Sequence, residues 1–216
     1  MKLAFRADAS KRIGTGHVIR CLTLAAKLKS QGAQVLFICR DLEGNLCEKI
    51  RADGFSLHVL PKPDAPYPNQ DWLEVAWERD IAETSAAVKN HFQGNADLLV
   101  VDHYAIDEDW ESRAHDIAQR ILVIDDLANR NHACELLLDQ NYFPRDPDRY
   151  RKNIPSACKR LLGPSYALLA PNYAEERARI RGKRDSRLNS PLEEVLVYFG
   201  GVDASGETLR AVSLLS

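Results

Sequence analysis

The sequence predicts an α/β protein built on a doubly wound, mostly parallel sheet, and three features carry that expectation. Short, continuously apolar runs alternate with longer amphipathic stretches, as strands buried on both faces alternate with surface helices. The order is strand, helix, strand, helix, which calls for right-handed crossovers and places every strand C-terminus on one edge. Polar residues suited to chemistry follow three of the runs, on the edge where such sheets bind ligands.

The runs are Leu3–Phe5, Val35–Cys39, Leu57–Leu60, Leu98–Val101, Ile121–Ile124, Leu136–Leu138 and Val195–Phe199. Val18, Leu22, Ala25 and Leu28 recur at helical spacing between the first two runs. Trp72, Val75, Ala76, Arg79 and Ala82 do the same in a helix predicted to continue towards Phe92. Together these elements make a Rossmann-like arrangement. Asp8 and His17 fall after its first strand, Asp102-His103-Tyr104 after the fourth and Asp125-Asp126 after the fifth.

Two segments break the pattern. Pro61 to Asp71 holds four prolines and is predicted to be a loop overhanging the site. Residues 183–193, charged and ending beyond a helix-stopping Pro191, are predicted to be a linker. Residues 1–182 then form a first domain. Residues 194–216 hold one strand, a glycine turn at Gly200-Gly201 and a helix start near Thr208, too little to form a core alone. The expectation is a truncated second domain.

Composition narrows the function. The 216 residues are 45% apolar, and 29 basic against 31 acidic residues leave a formal charge of −2, so bulk electrostatics favours neither nucleic acid nor an anionic membrane. A small-molecule ligand is expected. The five cysteines, odd in number and without a C-x-x-C pair, fit neither a disulfide framework nor a zinc site and suit a reducing cytoplasm. No apolar run approaches the ~18 residues that span a bilayer.

The opening segment carries most of the chemistry. Gly14-Thr15-Gly16-His17 delivers an imidazole at a loop-to-helix junction, where glycines permit a tight turn and the first helix amides face any anion. That suits a phosphate-bearing substrate beside a base able to take a proton from water near neutral pH, although a G-x-G-H alone also describes a helix-capping histidine. A dinucleotide fingerprint would need a third glycine where Ile19 stands, so no nicotinamide or flavin cofactor is expected.

Asp102-His103-Tyr104 offers an acceptor, a base and an aromatic donor, or alternatively a capped turn. Asp125-Asp126 can serve as a cap. His132 and Cys134 lack further ligands at metal-binding spacing, and His58 alternates with apolar neighbours as a strand residue does. Neither a G-x-S-x-G elbow nor a P-loop is present.

Five ordered motifs together resemble one family. Phe5-Arg6-Ala7-Asp8-Ala9-Ser10 with Ile13 to Cys21 is similar to the N-terminus of the UDP-2,4-diacetamido-2,4,6-trideoxy-β-L-altropyranose hydrolases, the PseG-type enzymes of pseudaminic acid biosynthesis. Val101 to Tyr104, Ile124 to Leu127 with Asp139-Gln140-Asn141, Gly163 to Leu169, and Tyr198 to Asp203 follow in that family's order. Ala170 and Gly206 depart from its pattern, and no role is carried onto them.

The resemblance implies the N-terminal half of a two-domain GT-B fold, like that of the MurG glycosyltransferase, with the UDP-sugar held in the interdomain cleft. It also implies inverting, metal-independent hydrolysis at the anomeric carbon, with His17 as the base and no cofactor. Asp8, Gly14, Gly16, Asp102, Tyr104, Gly200 and Gly201 are expected to contact substrate, with Asp8 either orienting His17 or binding the sugar. The rivals are a GT-B glycosyltransferase, in which His17 deprotonates an acceptor hydroxyl, and a non-catalytic nucleotide-sugar binding fragment. The chain alone is expected to be inactive or weakly active.

Overall fold

A computed structural model of the chain describes residues 1–64, 72–144, 146, 148–181, 191, 194–200, 203 and 205–215. Its strands are β1 (Lys2–Ala7), β2 (Gln34–Arg40), β3 (Ser56–Leu60), β4 (Leu98–Asp102), β5 (Ile121–Ile124), β6 (Leu136–Asp139) and β7 (Lys159–Leu162). They form one sheet, ordered β3-β2-β1-β4-β5-β6-β7, and every pairing is parallel. The helices are α1 (Gly16–Ser30), α2 (Cys47–Ala52), α3 (Trp77–Phe92), α4 (Glu108–Ala114), α5 (Pro171–Ile180) and α6 (Glu207–Leu215). This is a Rossmann-like doubly wound fold, consistent with the N-terminal half of a GT-B enzyme.

The chain divides into two units, Met1–Leu168 and Leu169–Ser216. In the first, the central strands are largely apolar because both sheet faces are covered, with Arg6, Arg40 and Asp102 as buried charged exceptions. On one face Ala4, Leu36, Ile38, Leu99 and Val101 pack with Ile81, Val88 and Trp110 from α3 and α4. On the other, Leu3, Phe5, Phe37 and Val100 pack with Val18, Cys21, Leu22 and Ala25 of α1. Phe5 and Phe37 are register partners with ring centroids 5.0 Å apart. Burying each such side chain contributes about 1.5–3 kcal/mol.

Helix α1 covers the second face because positions 17, 18, 21, 22 and 25 make one buried stripe. It ends where the Gln31 and Gly32 amides bond back to the carbonyls of Leu28 and Lys29, with Gly32 at φ +89°. Strand β1 lies between β2 and β4, so the winding direction reverses there. The crevice beyond the C-terminal ends of β1 and β4 is the topological switch point, where such sheets bind ligands.

Two sequence expectations are corrected. The helix predicted from Trp72 begins at Trp77, because Glu74 has a left-handed backbone (φ 59°) that no helix interior accepts, while Leu73 and Val75 sit in the core. The strand predicted at Val195–Phe199 in the second domain is irregular and mostly open to solvent, Leu196 being 92% exposed, and β7 at the sheet edge was not predicted.

In the second unit the helix expected near Thr208 is α6, capped by Asp203, whose carboxylate accepts from the amides of Glu207 (2.9 Å) and Thr208 (3.0 Å). Of the predicted linker only Pro191 is described. Residues 65–71 of the proline-rich loop lie outside the described residues, as does Gly201.

Candidate active site

His17 occupies the first turn of α1 and Asp102 the last position of β4, so neighbouring elements bring both to the switch point. His17 Nδ1 lies 2.6 Å from Asp102 Oδ1. With the carboxylate ionised, Nδ1 carries the proton and donates it, which leaves Nε2 as the basic nitrogen. Nε2 makes no hydrogen bond among the described residues, and the His17 side chain remains 7% exposed. A fixed tautomer with an open basic nitrogen is the arrangement of a general base and its orienting carboxylate.

Arg20, one turn after His17 on the same helix face, grips Asp102 with two nitrogens. Nε donates to Oδ2 at 2.6 Å and Nη2 to Oδ1 at 2.6 Å, while the Cys21 thiol donates to Oδ2 at 3.5 Å. Burial by itself would raise the Asp102 pKa. The Arg20 and His17 partners outweigh it and hold the carboxyl below its ordinary value. Arg20 is in turn held above its ordinary range by Asp102 despite its own burial.

The wall beside His17 is aromatic. Tyr104 meets the imidazole edge-on with centroids 4.6 Å apart, and Trp72 packs against Tyr104 at 4.9 Å. The Tyr104 hydroxyl donates to Asp126 Oδ1 at 2.6 Å. Burial first, and that carboxylate second, push the phenol well above its usual pKa, so Tyr104 acts as a neutral hydrogen-bonding group. Asp126 also receives Asn141 Nδ2 and Arg20 Nη1, both at 3.4 Å, and its carbonyl accepts from Arg149 at 2.5 Å. Asn141 and Arg149 line a concavity with Tyr142, Phe143 and Gly163 at the ends of β6 and β7.

The glycine turn is built for tightness. Gly14 has φ +84°, which suits a residue without a side chain, and its amide donates to the Ser10 carbonyl at 2.8 Å. That amide is therefore spent inside the loop, contrary to its predicted anion contact. The first helical bond runs from Ile19 to the Thr15 carbonyl at 3.1 Å, so the amides of Gly16, His17 and Val18 precede the intrahelical ladder. A methyl group added at Gly14 or Gly16 would meet nothing within 4 Å.

Asp8 does not orient His17; Asp102 does. Asp8 sits beneath the site in a fully buried ion cluster. Its Oδ1 accepts from Arg6 and from the Arg40 amide, each at 2.7 Å, and its Oδ2 faces His103 Nε2 at 3.4 Å. Arg6 and Arg40 also bind Asp80, which takes a bond from Trp110 Nε1 at 3.1 Å. Asp8 and Asp102, both expected among the substrate ligands, thus have fully buried side chains bonded to protein donors.

Asp125 is a structural cap. Its carboxylate accepts from the Leu127 and Ala128 amides, from Arg130 and from the Tyr150 hydroxyl. Gly200 has φ +82° in the second unit. Among the described residues no three His, Cys, Asp or Glu side chains are grouped to hold a metal ion, and no helix is long and apolar enough to cross a membrane.

Arg20 is the site residue that sequence reasoning passed over, whereas Asp126 was weighed with Asp125 after the fifth strand but given no site role. Arg20 could have been found from its i, i+3 spacing with His17, which puts both side chains over one turn of α1.

No protein-family profile matches the chain. It is 31% identical over 216 residues to the UDP-2,4-diacetamido-2,4,6-trideoxy-β-L-altropyranose hydrolase of Campylobacter jejuni, an alignment covering all of this chain and 66% of that protein. An uncharacterized protein of Methanocaldococcus jannaschii is 22% identical over 219 residues, again across all of this chain but only 40% of the relative. With a 31% identical match along all of this chain to the first of these, the chain belongs to the UDP-2,4-diacetamido-2,4,6-trideoxy-β-L-altropyranose hydrolase family.

Proposed function

We propose that this chain supplies the catalytic half of a hydrolase that cleaves the anomeric C–O bond of UDP-2,4-diacetamido-2,4,6-trideoxy-β-L-altropyranose in pseudaminic acid biosynthesis. The observation that carries the reading is the 2.6 Å contact between His17 Nδ1 and Asp102, which leaves Nε2 free to accept a proton. Water held at Nε2 attacks the anomeric carbon from the face opposite UDP. Its proton passes to Nε2, the bond to the diphosphate oxygen breaks with its electron pair leaving on UDP, and the configuration inverts.

UDP is a good leaving group, so the protein's task is to orient water and remove one proton. Asp102 fixes the tautomer and stabilises the imidazolium that forms. Tyr104 positions the water or sugar against the imidazole edge. The amides of Gly16 to Val18 at the N-terminus of α1 are suited to charge growing on the diphosphate. Gly200 and Gly201 would meet the nucleotide from the second domain.

The test is turnover of the UDP-sugar by a protein carrying both domains, without an added acceptor and with chelator present. Release of free sugar of inverted configuration supports the reading, and His17→Asn should lower turnover by at least ~10²-fold. Strict dependence on an acceptor would assign a glycosyltransferase. Loss of activity on chelation, restored by a divalent cation, would overturn metal independence.

A further inference from the structure

Cys134 and Cys158 lie on the opposite side of the sheet from this chemistry, at the N-terminal ends of β6 and β7. Their sulfurs are 3.7 Å apart, in van der Waals contact. Both residues belong to the same core layer, at 3% and 9% exposure. In the β6–β7 register Leu136 pairs with Lys159, so Cys134 and Cys158 flank the ladder one step out of line with each other. With the sulfurs already in contact, only a short further approach is needed to reach the ~2.05 Å of a disulfide.

The pair is also reachable. Cys158 lines a surface concavity with Asp148, Arg151, Ile154, Pro155, Ser156 and Arg160. None of these residues contributes to the His17 site. All five cysteines are buried, and Cys158, at 9%, is the most exposed of them.

We propose that Cys134 and Cys158 form a reversible dithiol–disulfide site, oxidised by hydrogen peroxide that enters through the Cys158 concavity. The Cys158 thiolate attacks one peroxide oxygen, breaking the O–O bond to give a sulfenic acid and hydroxide, which takes up the thiol proton as water. Cys134 then attacks the Cys158 sulfur, forming the S–S bond and displacing a second water. Two thiols lose two hydrogens and one electron pair while the peroxide is reduced to two waters. The geometry fixes the roles: Cys158 lines the concavity and meets the peroxide first, and the more deeply buried Cys134 resolves it.

The bridge would tie the chain entering β6 to the edge strand β7 and close the segment that carries Asp139, Asn141, Arg149 and Tyr150. Because it forms at the far end of the strands from His17, it constrains the edge of the sheet without entering the site.

The test is graded hydrogen peroxide treatment of the folded 216-residue chain, followed by intact mass, thiol titration after denaturation, and non-reducing peptide mapping. The expected product has lost the mass of two hydrogens and two titratable thiols, contains a Cys134–Cys158 linked peptide and reverts fully with dithiothreitol. Its Tm should rise by about 5–10 °C, as expected for closing a loop of this length in a domain of this size. Retention of all five thiols, addition of oxygen to Cys158 without a bridge, or a linked peptide involving any other cysteine would overturn the proposal. With Cys134→Ser the oxidised Cys158 should stop at an oxygen adduct that dimedone traps; absence of that adduct would remove Cys158 as the peroxide-reacting thiol.

Discussion

Replacing Asp102 with asparagine tests the site at its most constrained atom pair. In the native chain the carboxylate accepts from His17 and twice from Arg20, all at 2.6 Å. Asparagine offers one oxygen and one NH2 in the same space, so one of those donors must face another donor. If the oxygen turns to Arg20, the NH2 meets Nδ1 and stabilises the wrong imidazole tautomer, with the lone pair facing the protein and the proton on Nε2. Turnover should then fall by ~10²–10⁴-fold, about 2.7–5.4 kcal/mol of barrier. The assay is UDP release by a two-domain protein, with melting by circular dichroism as the control for folding. Asp102→Asn and His17→Asn remove parts of one unit, so the double variant should be little worse than His17→Asn alone. A folded Asp102→Asn protein with turnover within a few-fold of wild type, or multiplicative effects in the double variant, would refute the base–orienter reading.

Acid should destabilise the first unit. Asp8, Asp80, Asp102 and Asp125 are all held below their ordinary pKa because their cationic and hydrogen-bonding partners outweigh burial. Their stabilisation is complete above the unfolded carboxyl value of about 3.9 and is lost as pH falls below it towards the folded values; Asp139, raised chiefly by burial, acts in the opposite direction. A urea midpoint that does not decline between pH 5 and pH 3, in steps chosen to bracket about 3.9, would contradict this. Gly14→Ala should cost about 1–2 kcal/mol from the backbone at φ +84° alone. Gly16→Ala, with open space at its Cβ, should leave stability unchanged or raise it by up to about 1 kcal/mol while raising KM for the UDP-sugar. Tyr150→Phe removes a buried hydroxyl facing Asp125 and Asp139 and should cost about 1–3 kcal/mol in urea unfolding. Calorimetric titration of the 216-residue chain with UDP should show binding weaker than micromolar; tighter binding would place a complete nucleotide site in this segment.

Strands β1, β2, β4, β5 and β6 were legible because a parallel strand covered on both faces is mostly apolar, as Leu99, Val100 and Val101 are, and edge strand β3 because of its apolar Leu57, Val59 and Leu60. The same rule missed β7 and marked a strand at Val195–Phe199. Lys159-Arg160-Leu161-Leu162 is half charged because it runs along an edge, so it carries no apolar signature. Val195–Phe199 has the signature but no described strand beside it, and apolar character alone cannot supply a hydrogen-bonding partner. Likewise His17 and Asp102 were each visible as residues following a strand, whereas their pairing was not: nothing local states which of Asp8 and Asp102 a histidine on α1 will meet. Sheet order decides it, with β4 beside β1 and the Asp8 carboxylate taken by Arg6.

The contact between His17 and Asp102 joins residues 85 positions apart, and the Arg6–Asp80 bond beneath it spans 74. The first cannot exist until β4 has docked against β1 with β2, β3 and α3 between them in sequence, and the second until α3 has packed on β1. Contacts this distant carry the loop-closure entropy of the whole intervening chain and form slowly relative to helix growth. A folding intermediate could therefore hold α1 in full, His17 included, and still possess no oriented base. The assembled His17–Asp102 pair is then a kinetic marker for one event, the docking of the two central strands. Fraying of β7 at the distant edge would leave it untouched.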